Sequence, residues 1–276
     1  QTLTLKGAAD GRLFIRAEIG GDKPNAKLHI VVADPADGTI VADELLPAGM
    51  RKVRTEIATR AEHLWSPNDP YLYDVTATLE FGAAKSQGKQ EKLQQESQEI
   101  QEKPAKSQEK QDIVRSYCAF RTVEIKPDLK GIARFHLNGK PVFLKGVLDQ
   151  GYWPDGLLTA PSDEALVHDI TAMKESGFTM LRKHIKIESA RWYYHCARLG
   201  MLVWQDAVSG GGEYNAWATN RKPTLMRATW NKYRDDTAKH FAALGADDST
   251  YRRDWSRTCD AMVHMLAGHQ IGRASC

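Results

Sequence analysis

The chain lacks any apolar run near the roughly 18–20 residues that a membrane-spanning helix requires. It also lacks a marked excess of one charge. Lys plus Arg (38) against Asp plus Glu (35) leaves +3 over 276 residues. That is too little to mark nucleic acid or an anionic membrane as a partner. Cysteine is sparse: Cys118, Cys196, Cys259 and Cys276 stand far apart, with no C-x-x-C pair. A zinc ribbon and a disulfide scaffold are thereby excluded, and a reducing, cytoplasmic compartment is the expectation. No G-x-S-x-G or H-E-x-x-H occurs, so serine-hydrolase and zincin chemistry have no motif. The sequence begins with Gln1, and no basic-then-apolar leader follows, so it reads as a fragment or processed product.

What is present is ordinary globular material, 42% hydrophobic and 26% charged. The first part reads as strands and turns. Arg12–Ile19 alternates, Lys27–Ala33 is a β-branched apolar run, and Asp37-Gly38 marks a turn. Tyr71–Leu79 alternates again, and Asp112–Tyr117 and Arg121–Ile125 close the series. Short strands with frequent turn signals predict an immunoglobulin-like β-sandwich over residues 1–125. Residues 85–111 interrupt it with little but Lys, Gln, Glu and Ser and no aromatic residue. Such a stretch buries too little apolar surface to offset its ordering entropy, which predicts a disordered low-complexity insertion.

After Pro127 the pattern changes. Asn138-Gly139 centres a small hairpin. Strand-like Phe143–Val147, Phe178–Arg182 and Met201–Trp204 then alternate with helical periods. The first helix starts at Ser162-Asp163-Glu164, presents Leu166, Ile170 and Met173, and stops at Gly177. The second carries Trp192, Cys196 and Leu199 and ends at Gly200. The third, from Tyr251 to Leu266, stacks Trp255, Cys259, Met262 and Leu266. This alternation predicts parallel strands with helical crossovers, and Trp192 and Trp255 are expected in the core. Only three βα units are present, whereas a closed barrel of eight takes about 250 residues. A doubly wound sheet is disfavoured, because no Gly-rich phosphate loop follows a strand and Gly210-Gly211-Gly212 lacks the spacing.

In parallel α/β folds chemistry collects at the carboxyl ends of the strands. Asp149, Gln150, Tyr152, Trp153 and Asp155 follow the first strand. Arg182, Lys183 and His184 end the second, and Gln205 and Asp206 the third. Polar groups that donate and accept several hydrogen bonds, beside Trp and Tyr rings, suit a sugar. The plainer readings are an Arg182–Asp206 structural ion pair and a hydrogen-bonded structural His184. His168 and His195 lie within helices and read as half-exposed or core-satisfied.

Several ordered phrases then resemble glycoside hydrolase family 2, which includes β-galactosidases, β-glucuronidases and β-mannosidases. Leu64-Trp-Ser-Pro-Asn-Asp-Pro-Tyr-Leu-Tyr73 is similar to a phrase of its immunoglobulin-like domain. Phe120–Ile125 and Phe135–Val147 resemble its domain junction and first barrel strand. Gly177–His184 resembles the second strand with its Arg-x-His, and Trp192–Asp206 the next helix and third strand. The resemblance implies a truncated (β/α)8 TIM barrel over residues 126–276. It also implies a retaining glycosidase, in which an acid protonates the leaving oxygen and a carboxylate about 5–5.5 Å away attacks the anomeric carbon. It places Arg182, His184 and Asp206 at the sugar subsite, and the strand-end reading adds Asp149 and Trp153 as further substrate-binding candidates.

The family's acid/base glutamate follows an asparagine after strand four, and its nucleophile follows strand seven. No Asn-Glu dipeptide occurs here. No catalytic residue, metal or cofactor is therefore expected in this chain, which should be inactive alone and unstable in its second half. The ending Gly272-Arg-Ala-Ser-Cys276 fits no strand and suggests a frameshift or gene truncation after His269. The expected partner is a carbohydrate, with neither nucleic acid nor membrane. A second reading is a non-catalytic β-sandwich module that binds carbohydrate or protein. A third takes Asp149, His184 and Asp206 as metal ligands.

Overall fold

A computed structural model describes residues 2–21, 25–49, 51–81, 112–208 and 248–269, with the backbone alone at 271–273. The 85–111 insertion, Gly210-Gly211-Gly212 and Ala274–Cys276 lie outside the described residues. Two compact units emerge, residues 1–65 with 71–121, and residues 66–70 with 122–276.

The first unit consists of two antiparallel sheets that share one core. Strands β1 (Thr2–Gly7), β2 (Arg12–Glu18) and β5 (Lys52–Ala58) form one sheet in the order β1-β2-β5. The other is ordered β4-β3-β6-β7, from β3 (Ala26–Ala33), β4 (Ile40–Pro47), β6 (Tyr73–Phe81) and β7 (Asp112–Cys118). Period-2 alternation decides which side chains enter the core. Leu13, Ile15 and Ala17 on β2 meet Leu28, Ile30 and Val32 on β3 and Val75, Ala77 and Leu79 on β6. Tyr73 sets its ring edge-on to Phe120 beneath them and donates no exposed edge to water, being 1% exposed. The β3–β4 link turns at Asp37-Gly38, where Gly38 takes φ +76° and the Asp37 carboxylate accepts from the Thr39 amide. Strands β1, β4 and β5 come in addition to those the sequence pattern marks.

Arg121–Ile125 is a correction. It was expected to close the first series, but β8 (Val123–Pro127) pairs with β9 (Ala133–Leu137) in a separate sheet, ordered β10-β9-β8. The chain turns back from β8 into β9 at residues 128–132, where the Asp128 carboxylate accepts from the Lys130 and Ile132 amides, and the Asn138-Gly139 hairpin then returns it through β10 (Lys140–Pro141). Both turn residues are left-handed, at φ 50° and 76°, as a two-residue hairpin of this type requires. The Asn138 side chain also accepts from the Thr122 amide, pinning the start of β8.

A four-stranded parallel sheet follows, ordered β11 (Gly146–Asp149), β12 (Met180–Lys183), β13 (Leu202–Gln205) and β14 (Ile271–Arg273). Helix α1 (Asp163–Glu175) is capped by Ser162, whose hydroxyl accepts from the Ala165 amide. Helix α2 (Ala190–Leu199) ends at Gly200, left-handed at φ 73°. Helix α3 is Ser249–Leu266, with Asp248 as its N-cap. Leu166, Ile170, Leu181, Trp192, Cys196, Met201 and Val203 form the core between helices and sheet.

Two expectations change here. Trp255 is not core but 36% exposed, because only Met262 and Leu266, near the C-terminal end of α3, pack against that core. Gly272 and Arg273, expected to fit no strand, pair in parallel with Trp204 and Gln205. Cys118, Cys196 and Cys259 are free thiols. Among the described residues no helix is long and apolar enough to cross a membrane.

Candidate functional site

The site is built from the carboxyl ends of β11, β12 and β13. Registers align Leu148 with Arg182 and Arg182 with Trp204, and Asp149 with Lys183 and Lys183 with Gln205. Alternation separates these rows onto opposite faces. Leu181 and Val203 belong to the core under the helices, so Asp149, Lys183 and Gln205, two residues further on, share that helix-facing side. Leu148, Arg182 and Trp204 occupy the other.

On the open face, Arg182 grips Asp206. Nε lies 2.9 Å from Oδ1 and 3.2 Å from Oδ2, and Nη2 lies 2.9 Å from Oδ2. The fork geometry of a guanidinium matches a carboxylate in this way. The pair is lopsided, since the Arg182 side chain is 42% exposed and that of Asp206 only 4%. His184 follows directly. Its amide donates to the Asp149 carbonyl (3.0 Å), and its Nδ1 accepts from the Gln150 side-chain amide (2.9 Å). An accepting Nδ1 leaves the ring proton of the neutral imidazole on Nε2.

On the helix-facing side lies an ionic cluster. Lys183 is fully buried, and its ammonium meets Asp149 Oδ1 at 2.8 Å, Glu188 Oε1 at 3.1 Å and the Trp192 ring face at 4.1 Å. Lys186 meets the same Glu188 oxygen at 2.7 Å. Tyr193 donates to Gln205 Oε1 (2.6 Å) and accepts from the Glu188 amide (3.2 Å). Burial pushes the Tyr193 phenol well up and so keeps it a donor. The Gln205 amide donates to the carbonyls of Lys186 (2.9 Å) and Asp206 (3.0 Å), joining the second and third strand ends.

The five sequence candidates therefore do not converge. Arg182 and Asp206 form one pair, and His184 stands beside Gln150. Asp149 spends its carboxylate on Lys183. Trp153 packs half-buried against the helix core, and its indole N–H finds no acceptor among the described residues. Asp149 and Asp206 sit on opposite faces, each neutralised by a cation, which argues against shared metal ligation. Among the described residues no three His, Cys, Asp or Glu groups come together as a metal site. His195 lies in α2 as a mostly buried ring whose Nδ1 accepts from Arg198. The sequence reading missed Lys186, Glu188 and Tyr193. The available signal was a lysine at the period-2 inward position after Leu181, which demands a nearby carboxylate.

No protein-family model matches the chain. Among curated proteins, a β-galactosidase of Lactobacillus delbrueckii subsp. bulgaricus is 24% identical over 197 residues, covering 71% of this chain and 16% of that protein. Beta-mannosidase B of Aspergillus terreus is 25% identical over 225 residues, covering 78% and 23%. Among solved structures, β-glucuronidase 3 of Bacteroides uniformis superposes with a TM-score of 0.63 at 17% identity, covering 98% of this chain and 26% of that one. A glycosyl hydrolase family 2 member from Bacteroides cellulosilyticus gives 0.58 at 20% identity, covering 98% and 30%. The chain thus spans about a quarter or less of the two curated relatives. In sequence and in fold, it resembles part of a glycoside hydrolase of family 2.

Proposed function

We propose that this chain is the glycoside-binding start of a retaining glycosidase. On this reading the first unit, which ends at residue 121, is an immunoglobulin-like β-sandwich, and the chain beyond the β8–β10 sheet opens a (β/α)8 barrel with three βα units and a fourth strand. The observation that carries it is the strand order. Each parallel strand from β11 to β14 is added on the same side of the last, as in a barrel wall, and none reverses as in a doubly wound sheet. Arg182, Asp206 and His184 then stand at the barrel mouth, where they bind the hydroxyls of a glycoside. Asp149 and Trp153 act behind them by holding the first loop.

Turnover needs an uncharged acid and a free carboxylate nucleophile. Among the described residues, Asp149, Glu188 and Asp206, carboxylates gathered at these strand ends, are each committed to Lys183, Lys186 or Arg182. The chain alone is therefore inactive, and a cation-held carboxylate at position 206 serves recognition. The test is to incubate the purified chain with p-nitrophenyl β-D-galactoside, β-D-mannoside and β-D-glucuronide. No nitrophenol release above buffer is expected, while saturation-transfer NMR detects binding of the matching methyl glycoside. Turnover would overturn the inactivity, and absence of binding to all three sugars would overturn the glycoside reading.

A further inference from the structure

The loop after β12 begins with His184, one of the groups assigned above to the ligand, and the loop after β11 carries its partner Gln150, yet no regular element supports either loop. Within residues 150–158 the backbone support is a bridge between Trp153 and Leu157 and one bond from the Thr159 amide to the Gly156 carbonyl. Two residues in these loops hold conformations that side chains resist: Leu157 at φ 53° and Ile185 at φ 52°. A β-branched residue there is a steric outlier, and it persists only when its surroundings over-determine it.

One side chain touches both loops. The Lys186 ammonium donates to the carbonyls of Gly151 (2.9 Å) and Leu158 (2.5 Å) and meets Glu188 Oε1 at 2.7 Å. Those three acceptors satisfy all three of its N–H groups. Its side chain is 11% exposed. Its own carbonyl is held by Gln205 on the third strand. Glu188 is shared with the buried Lys183, which in turn holds Asp149, so the chain of contacts returns to the end of β11. The ligand-side contacts of His184, to the Asp149 carbonyl and the Gln150 amide, lie inside this ring of bonds.

We propose that Lys186 is a positioning residue: through Gly151, Leu158 and Glu188 it locks the two strand-end loops and so fixes His184 in one tautomer and orientation. This rests on the reading of that end as the glycoside site, which names what His184 is held for. The positioning itself is measurable without any sugar.

The test uses the full chain with 15N-labelled histidine and amide exchange by NMR, comparing Lys186→Met with Lys174→Met. Lys174 likewise donates to two carbonyls, Pro67 and Leu199, outside these loops. Lys186→Met should speed exchange at the Trp153 and Leu157 amides at least about tenfold and move the His184 ring nitrogens toward averaged tautomers. Lys174→Met should do neither. Unchanged loop exchange and His184 signals in Lys186→Met would overturn the proposal, as would equal changes in both variants. Should Lys186→Met fail to fold, the wild type decides: Trp153 and Leu157 must exchange no faster than the β12 amides, and faster local opening refutes the lock. Methyl β-D-galactoside, β-D-mannoside and β-D-glucuronide are then added. A sugar-induced His184 shift that Lys186→Met loses supports both readings. No shift in a wild type with locked loops sinks the glycoside site and leaves the lock standing.

Discussion

The lopsided burial of Arg182 and Asp206 makes the two halves of one ion pair unequal in value. Replacing Arg182 by Met strands a carboxylate whose side chain is only 4% exposed. A buried charge deprived of its partner costs about 3–5 kcal/mol. The low end applies here, because the departing guanidinium was itself 42% exposed and opens a path for water. Asp206→Asn is milder. The amide keeps an oxygen to accept from Arg182, and the guanidinium already reaches water, which takes over the lost partner, so the cost falls to that of one ordinary net hydrogen bond, about 1 kcal/mol. The expected gap is about 2 kcal/mol. The two units of the chain need not unfold together, so the readout is amide exchange within β12 and β13. There Arg182→Met should exchange about 30-fold faster than Asp206→Asn, at roughly tenfold per 1.4 kcal/mol. Replacing both by apolar residues, as in Arg182→Met with Asp206→Leu, should recover most of the loss. Equal costs, or a costlier Asp206→Asn, would show that the pair is not the buried, one-sided device described.

Gly151 is left-handed at φ 61°, and a Cβ there would come within 2.3 Å of Glu188 Oε1. Gly151→Ala should cost at least about 1–3 kcal/mol and loosen the Lys186 contacts, read as a lower urea midpoint for the second unit. Ser162→Ala removes the α1 cap and should cost about 1 kcal/mol in the same assay, with the first unit unaffected. Burial drives the His269 imidazole down to about 4. The unfolded chain then binds a proton near pH 6.5 that the folded one refuses until about pH 4. Stability from this group is full above pH 6.5 and falls across that window by on the order of 3 kcal/mol, so a pH series of urea melts should lose this slope in His269→Leu.

Much of the fold was legible because it is written in periods. In β3 and β6 every second residue is buried, and those alternations stand out without any partner strand. Of the three described helices, α1 starts at its capping residue Ser162 and α2 stops at Gly200, residues that act through their own neighbours, whereas α3 begins at Asp248, ahead of the Tyr251 start that its apolar period marks. β4 was illegible for the opposite reason. Its Ile-Val-Ala-Asp-Glu-Leu-Leu-Pro run has no clean alternation, and its register against β3 slips at Val32/Ala33. β8 was legible as a strand but not as to its sheet, because its partner β9 is set by the turn that follows it, where the Asp128 carboxylate accepts from the Lys130 and Ile132 amides.

The site divides along the same line. Local order puts Arg182 and His184 at the end of one strand and Asp206 at the end of the next, and parity alone puts Lys183 on the other face from Arg182. What parity cannot supply is the partner across the fold. Asp149 looked like a ligand group because its strand end is polar, yet register sets it against Lys183, a pairing that depends on two strands separated by a helix. Glu188 and Lys186 lie in a loop without a period, and their meaning comes from the carbonyls of Gly151 and Leu158, far back in sequence. A polar strand end in a parallel sheet therefore has to be split by face before it is read as a site. Residues on the open face can meet a ligand, while those on the helix side, paired in the dry layer, hold the first group in place.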